Sequence, residues 1–441
     1  MSGNKNGVLD GIQISMRGII TACLFGLYFL SLGLFVTTLN NAIIILSVVS
    51  CFLISYLNIK KVEFLISSYI GMFVITLTAQ TNYLLAYSII NMIVLCIIFR
   101  KRIISSINRP VVTLFLFVCC IGISIVNSVE TDFAKEAFLG FSVSIVIFYS
   151  ITLVSQSAIK LADLYWYSTI FITGMILVFF SNHTIQELAN THRALIYFIG
   201  DSGTRSNTLA GYIAVFMFLC WGCWKHNKTI IRRTLSVICF FPMCIILYFT
   251  ISRGAYLGMA VSFIPLILFN LTKKKVLMIN FTVVVVLLGI YLFSEEIFNS
   301  RVFGLSTGDY SNGRWDYYSL AWEQFKMHPI IGNGMYQFGF LGGMGKLEDP
   351  HNWLLAYLSG IGLLGLMCFL LFLLSIVGKI VNVLFNKNID KHSIVLAQAI
   401  TVPIIHGLVE PAMSTGLPFM LFCIVSPILY SYMIRQEKLD N

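Results

Sequence analysis

Long runs of apolar residues, separated by short polar stretches, fill most of this chain. About fourteen of the runs approach the roughly 20 residues that a helix needs to cross a bilayer. They lie near 18–38, 41–58, 62–79, 82–99, 110–127, 138–157, 163–181, 207–224, 234–251, 255–271, 277–294, 352–378, 393–409 and 415–433. Since 62–79 and 163–181 are the weakest, the pattern predicts an all-α, polytopic integral membrane protein with 12–14 transmembrane helices.

Two longer polar segments interrupt this pattern, at 182–207 and at 295–350. The second leads directly into the apolar run that begins at 352, whereas the other loops are short. We therefore predict one membrane domain over residues 1–441, with a single large loop at 295–350.

Aromatic residues recur within the large loop at the spacing of one helical face. Trp315, Tyr318, Trp322 and Phe325 follow one another at intervals of three, four and three residues. An amphipathic helix is therefore predicted. Its aromatic face suits the membrane–water interface, where Trp and Tyr are enriched, or serves as a platform for sugar rings.

Composition and charge agree with a membrane protein. The chain is 58% hydrophobic and 11% charged, whereas soluble domains are about 25% charged. With both termini cytoplasmic, 21 of the 29 Lys and Arg residues fall on the inner face. The net charge of +10 therefore reports topology, and no nucleic-acid partner is expected. The first run lacks a cleavage site and is interpreted as a retained span.

The cysteines do not indicate redox or metal chemistry. All eleven lie in apolar runs, including Cys220 and Cys223, whose redox-type spacing falls inside a span, so packing roles are expected. No metal-ligand spacing and no Gly-rich phosphate loop with Lys and Ser/Thr occurs in the sequence. No metal and no cofactor are predicted.

Three arginines are predicted to lie on the outer face, against the positive-inside tendency. Arg253 stands between two spans with scarcely a loop around it, Arg314 opens the predicted loop helix, and Arg205 precedes a span. An arginine near a helix end often only extends its side chain to the interface. Three guanidinium groups on one face, however, suit the oxygens of a phosphate, so we predict an anionic ligand.

A histidine at the end of the large loop is a second candidate. Asp349 is a suitable N-cap and Pro350 suits the first helical position, which predicts His351 in the first turn of a helix. There the macrodipole would keep the imidazole neutral and able to accept a proton, and free N–H groups would be open to an anion. A capping or interface role is the alternative.

Glu410 and His406 complete the set of candidates. Glu410 is predicted at the outer end of the 393–409 run, with His406 one turn earlier on the same face. A carboxylate at membrane depth needs a partner, so Glu410 is either part of a site or a structural ion-pair partner of an arginine.

These residues together resemble the O-antigen ligase and O-antigen polymerase superfamily. An arginine is followed four residues later by leucine, at Arg253 and Leu257. The pair His351-Asn352 is followed, after nine residues, by Gly362-x-x-Gly365. The order of these motifs around one large outer loop is more specific than either motif alone.

Three other positions fit the same resemblance. Arg314 matches the second arginine of that superfamily, Glu410 matches its acidic residue near the penultimate span, and Arg205 lies in a looser match. Twelve spans are usual for the ligases, so the count of nearer fourteen departs from the pattern.

The resemblance implies a metal-independent glycosyltransferase of the bacterial inner membrane, with its active site facing the periplasm. A glycan would move from undecaprenyl diphosphate to a hydroxyl of lipid A-core, as in O-antigen ligase. The alternative is a polymerase, whose acceptor is a second lipid-linked glycan. A transporter of lipid-linked sugars is less favoured, because the spans are nearly free of charge.

The resemblance also implies roles for the candidate residues. Arg253, Arg314 and Arg205 would hold the diphosphate, His351 would take the acceptor's proton, and Glu410 would hold His351 or an arginine. Further substrate contacts are predicted for Asn352, Trp315, Trp322 and His406.

Overall fold

A computed structural model of the chain describes residues 16–38, 41–58, 61–79, 83–182, 206–250, 252–269, 314–385 and 391–440. Most of these residues are helical, and no strand occurs among them. The helices are α1 (Met16–Thr38), α2 (Asn41–Leu57), α3 (Val62–Ala79), α4 (Tyr83–Ile98), α5 (Arg109–Ser124), α6 (Thr131–Ser155), α7 (Leu161–Asn182), α8 (Ser206–His226), α9 (Ile230–Thr250), α10 (Arg253–Phe269), α11 (Arg314–Met327), α12 (Phe338–Leu341), α13 (Trp353–Phe385), α14 (Lys391–His406) and α15 (Gly416–Asp440).

The predicted all-α, polytopic membrane architecture is confirmed. Every predicted run within the described ranges coincides with a helix, while 277–294 lies outside them. Within those ranges, eight helices are long and apolar enough to cross a membrane, and α2, α3 and α4 contain shorter apolar stretches.

The helices pack largely in pairs, many of them between helices that are distant in sequence. The bundle has two distinct ends. The principal pairs are α1 with α2, α3 with α7, α8 with α9, α5 with α13, α6 with α15 and α10 with α14. We call the end where α8, α10 and α13 begin and α14 finishes the site end. The opposite end carries α7's first turn and the basic α8–α9 connection.

A cluster of aromatic rings forms the core beneath the site end. Phe117 of α5 lies 5.6 Å from Phe141 of α6 and 5.2 Å from Tyr357 of α13, measured between ring centroids. Phe369 lies 4.5 Å from Tyr357, and Phe419 of α15 lies 5.2 Å from Phe141. Tyr357 also donates a hydrogen bond to the backbone of the loop between α14 and α15, which fixes that loop over the core.

Helix α13 is broken within its first third by the loop that precedes it. At Gly362 the backbone leaves the helical conformation, with φ 65° and ψ −168°. The 329–334 segment supplies the hydrogen bonds that the helix loses there. Leu363 N donates to Pro329 O at 2.9 Å, and Gly334 N donates to Gly360 O at 2.8 Å. At this break, residues 329–334 of the large loop are therefore anchored to a membrane helix.

Glycine is required at this junction for two reasons. The positive φ of Gly362 is unfavourable for other residues, and a Cβ there would lie 2.4 Å from Ile330 O. Gly332 also has positive φ, and a Cβ at that position would lie 2.3 Å from the Gly360 carbonyl. The first glycine of the Gly-x-x-Gly motif thus has a structural explanation in close backbone approach.

Candidate active site

A buried carboxylate at the site end joins three parts of the chain. Glu410, in the loop after α14, is 3% exposed. Its Oε1 accepts a hydrogen bond from Asn207 Nδ2 at 2.8 Å and pairs with Arg314 Nη2. Its Oε2 lies 3.5 Å from His351 Nδ1, an electrostatic contact at the outer limit of hydrogen bonding. The carboxylate therefore holds α8, α11 and the approach to α13 together.

The surroundings of Glu410 keep it ionised. Burial alone would raise the pKa of this carboxyl, because a charged group is costly to remove from water. The neighbouring His351 imidazole and the Arg314 guanidinium outweigh burial, and the net effect lowers the pKa below its usual value. Glu410 is therefore an anion in the assembled site.

The predicted position of His351 in the first helical turn is wrong. Helix α13 begins at Trp353, and His351 precedes it in a left-handed conformation with φ 57°. Asp349 does not cap the helix. Its Oδ1 accepts from His351 N at 2.8 Å, and its Oδ2 accepts from Ser414 Oγ at 2.8 Å. The turn at Asp349, rather than the helix, therefore sets the direction of the imidazole.

The predicted anion site at the start of α13 is also wrong, because its N–H groups are already bonded. Asn352 is the N-cap, and its Oδ1 accepts from Leu354 N at 2.9 Å and Leu355 N at 3.2 Å. Trp353 N donates to Gly407 O at 2.9 Å. No N–H group of this first turn remains for a ligand.

Asn352 has a structural role, and its substrate contact stays a prediction. While its carbonyl caps α13, its Nδ2 donates to Leu408 O at 3.0 Å. This bond ties the α13 start to the loop that carries Glu410, so Asn352 fixes the distance between Glu410 and His351.

The imidazole of His351 is enclosed on one side and open on another. Tyr317 of α11 stacks against it, with ring centroids 5.9 Å apart and planes inclined by 13°. Nδ1 is buried, yet 22% of the side chain is exposed, so the exposed surface lies on the rest of the ring. Nε2 lies 3.9 Å from Glu348 Oε1. One ring nitrogen is thus directed at Glu410 and the other at Glu348.

Arg253 lies beside this cluster without a partner in the described part of the chain. It begins α10 and is half-buried, and no ion pair or hydrogen bond joins its guanidinium to another described residue. The residues that flank Arg253 in sequence show where the start of α10 lies. Ser252 Oγ lies 3.5 Å from His406 Nε2, and a Cβ on Gly254 would lie 3.4 Å from Glu410 Cγ. Arg253 is therefore a half-buried cation at the start of the helix whose next residue, Gly254, packs against Glu410.

His406 does not lie on one helical face with Glu410, as the sequence pattern predicted. Helix α14 ends at His406, and Glu410 follows in a series of turns. The His406 ring is completely buried, and a Cβ on either Gly211 or Gly254 would come within 2.7 Å of it. A packing role therefore replaces the predicted substrate contact.

The predicted loop helix is observed as α11. Each of its inward-facing residues precedes by one position a residue of the predicted aromatic face. Arg314 and Tyr317 face the site, and Ala321 continues the same stripe into the interior. Trp315 and Trp322 point outward, with 72% and 47% of their surface exposed. Outward tryptophans fit the interface interpretation, and the sugar platform remains a prediction.

Several contributors to the site carried weak sequence signals or none. Asn207 stands two residues after Arg205 and was not itself predicted as a site residue, and neither were Tyr317 and Glu348. Glu348 stands three residues before His351, which was the available signal. Arg205 lies outside the described residues. Within them, no group of three His, Cys, Asp or Glu side chains could hold a metal ion.

Comparison with known proteins supports the family resemblance. Residues 238–370 match the model of a family described as O-antigen ligase. The match covers Arg253, Arg314, His351 and the Gly362-x-x-Gly365 motif, whereas Asn207 and Glu410 lie beyond it. No curated protein matches the chain. The predicted resemblance to the O-antigen ligase superfamily is therefore confirmed, and the protein is a multi-pass membrane protein with an O-antigen ligase-like domain.

Proposed function

We propose that this protein is a glycosyltransferase that moves a glycan from undecaprenyl diphosphate to an acceptor hydroxyl on the periplasmic side of the inner membrane. The acceptor in this proposal is lipid A-core, so that the protein is an O-antigen ligase. The acceptor oxygen bonds to the anomeric carbon of the glycan. The bond from that carbon to the diphosphate breaks, and the diphosphate leaves with the bonding electrons.

His351 is the proposed base. Glu410 lies on the Nδ1 side of the ring, which favours the tautomer with its proton on Nδ1. Nε2 then has a free lone pair to take the proton of the attacking hydroxyl. The stacked Tyr317 ring limits rotation of the imidazole, so the lone pair keeps its direction.

The two arginines have different proposed roles. Arg253 pairs with no carboxylate in the described part of the chain and is the main candidate to stabilise charge on the departing diphosphate. Arg314 is paired with Glu410 and is therefore partly neutralised. Its remaining N–H groups are available to the diphosphate, while its pair with Glu410 positions the carboxylate that orients His351.

One observation carries the proposal most directly. One buried carboxylate contacts the histidine and the loop arginine, and Arg253 begins the helix whose Gly254 packs against that carboxylate. A glycosyl transfer from a diphosphate needs these functions together: a base for the hydroxyl and cations for the leaving group.

The first test is the lipopolysaccharide of a host strain that lacks this protein, separated by gel electrophoresis. For a ligase we expect core without attached O-antigen, together with accumulated lipid-linked polymer. Core that carries one repeat unit would assign the protein as a polymerase instead. An unchanged ladder would contradict both assignments.

The second test uses the purified full chain in detergent with two added substrates. These are lipid-linked O-antigen and lipid A-core prepared from the deletion strain. Transfer that requires both substrates supports the proposal. Incorporation of lipid-linked units without any core would instead indicate polymerisation.

A further inference from the structure

Two carboxylates flank the proposed catalytic histidine, one on each side of the imidazole ring. Glu410 lies 3.5 Å from Nδ1, whereas Glu348 lies 3.9 Å from Nε2 on the other side of the ring. The Glu348 side chain is 9% exposed. Lys346 Nζ lies 3.7 Å from Glu348 Oε2, and the Lys346 side chain is 66% exposed and therefore strongly hydrated.

Glu348 is also held in place by its backbone. A Cβ on Gly339, in the short helix α12, would lie 2.9 Å from Glu348 Cβ and 2.1 Å from Lys346 O. The segment before His351 is thus packed closely on α12. The carboxylate faces the nitrogen that must receive the acceptor's proton, at a distance too long for a direct hydrogen bond.

The hydrogen-bonding chemistry of Nε2 and Glu348 determines which ligand groups can bind to both of them. A basic imidazole nitrogen and an ionised carboxylate both accept hydrogen bonds, and neither donates. One hydroxyl group has a single proton and cannot serve both acceptors. Two hydroxyl groups on neighbouring ring carbons have two protons, and each can donate one bond of roughly 2.8 Å across a gap of this width.

We propose that His351 Nε2 and the Glu348 carboxylate form a subsite for a vicinal diol of the acceptor sugar. The attacking hydroxyl donates to His351 and loses its proton there. The neighbouring hydroxyl donates to Glu348 and keeps its proton, so Glu348 binds the acceptor and selects which hydroxyl attacks. This inference rests on the proposed glycosyltransferase function and adds the acceptor geometry to it.

The test measures transfer to a synthetic core oligosaccharide and to its monodeoxy derivatives, each lacking one hydroxyl of the accepting sugar. In the wild-type chain, loss of the attacked hydroxyl abolishes transfer. Loss of one adjacent hydroxyl lowers kcat/KM by roughly tenfold to a hundredfold, as for a hydrogen bond to a charged group. Glu348→Ala shows a similar loss with the parent sugar, mainly through acceptor KM.

The decisive comparison combines the two changes. Glu348→Ala should show no additional loss with that adjacent-deoxy derivative, because both changes remove the same hydrogen bond. Glu348→Gln keeps the side-chain volume and should give the same pattern with a smaller loss, which guards against a folding defect. Glu323→Ala is the matched control, since Glu323 is another loop glutamate paired with a lysine, Lys326, but exposed.

The outcomes separate this inference from the function on which it rests. If the adjacent-deoxy derivative is penalised equally in wild type and Glu348→Ala, the diol subsite is wrong while glycosyl transfer stands. If Glu348→Ala transfers to the parent sugar as well as wild type does, the subsite is also wrong. If wild type transfers to no acceptor, both proposals fall.

Discussion

Two arginine–carboxylate pairs stand at opposite ends of the bundle and differ in what surrounds them. At the site end Arg314 pairs with Glu410, with side chains 21% and 4% exposed. At the other end Arg232 pairs with Asp163 at 2.6 Å, with side chains 29% and 30% exposed. Each pair joins segments distant in sequence, and an asparagine supports each one.

In the pair at the opposite end, Arg232 has further partners besides Asp163. The second interaction of Arg232 Nη1 is with Asn227 Oδ1 at 2.9 Å, and its guanidinium lies over the Trp166 ring at 5.4 Å. At the site end, His351 contacts the same carboxylate through one nitrogen, and Arg253 at the start of α10 has no ion pair with another described residue. The comparison teaches that an arginine–carboxylate pair alone does not indicate a site. A functional site is indicated when groups adjacent to such a pair keep charge or hydrogen-bonding capacity for a ligand.

The largest expected loss follows from His351→Ala, because it removes the proposed base. We expect kcat for glycan transfer to fall roughly 10²- to 10⁴-fold, the usual contribution of a positioned general base. The measurement is single-turnover transfer by purified protein. Membrane insertion and thermal unfolding should stay as in wild type, and full activity in His351→Ala would remove the base assignment.

Arg253→Ala should give the second largest loss, of roughly 10²- to 10³-fold in kcat, as expected when one charge that stabilises a leaving group is removed. Arg253→Lys should recover part of the activity, because the charge remains while the fork of N–H donors is lost. Transfer rates of the three proteins at equal abundance measure this. Equal rates in Arg253→Ala and wild type would leave the guanidinium with an interfacial role alone.

Glu410→Gln should lower transfer by roughly tenfold to a hundredfold, since His351 and Arg314 lose a charged hydrogen-bonding partner. It should also change the acid response of stability. The lowered pKa of Glu410 means that its stabilising contribution is complete above the usual pKa near 4.5 and is lost as pH falls below it. Thermal unfolding between pH 7 and pH about 3 should therefore show wild type converging on Glu410→Gln in acid. Parallel curves would contradict the depressed pKa.

Asp163→Asn makes the matching change at the opposite end and should have the smallest effect on transfer. Arg232 keeps Asn227 and the Trp166 ring, so we expect unchanged activity and a stability loss of about 1 kcal/mol. Thermal unfolding and transfer measured on one preparation test both parts. A fall in activity comparable to that of Glu410→Gln would end the distinction between the two pairs.

The membrane architecture could be predicted from local sequence because the bilayer imposes it residue by residue. Each apolar run must satisfy its own backbone hydrogen bonds, so length and hydropathy alone identify helices such as α5 and α15. The loop helix was predictable for a similar reason, since its period of aromatic residues is local. Its inward face was not, because Arg314 and Tyr317 are turned inward by contacts with Glu410 and His351.

The candidate residues were found by chemical type, whereas their roles depend on long-range contacts. His351 was expected in a helix, but the turn at Asp349 ends in a bond to Ser414, far along the chain. Asn352 was predicted only as a substrate contact, and the structure adds that it caps α13 and bonds to Leu408. No local pattern reports either partner.

The amino-acid sequence alone specifies a helical membrane protein with charged and imidazole groups placed at helix ends, because spacing, polarity and hydropathy are local properties. The tertiary structure decides which of those groups meet. It places Glu410 against Arg314 and His351, leaves Arg253 without an ion pair among the described residues and buries His406. Burial and ion pairing set the charge of each group, and both depend on residues that approach one another only after the helices have packed.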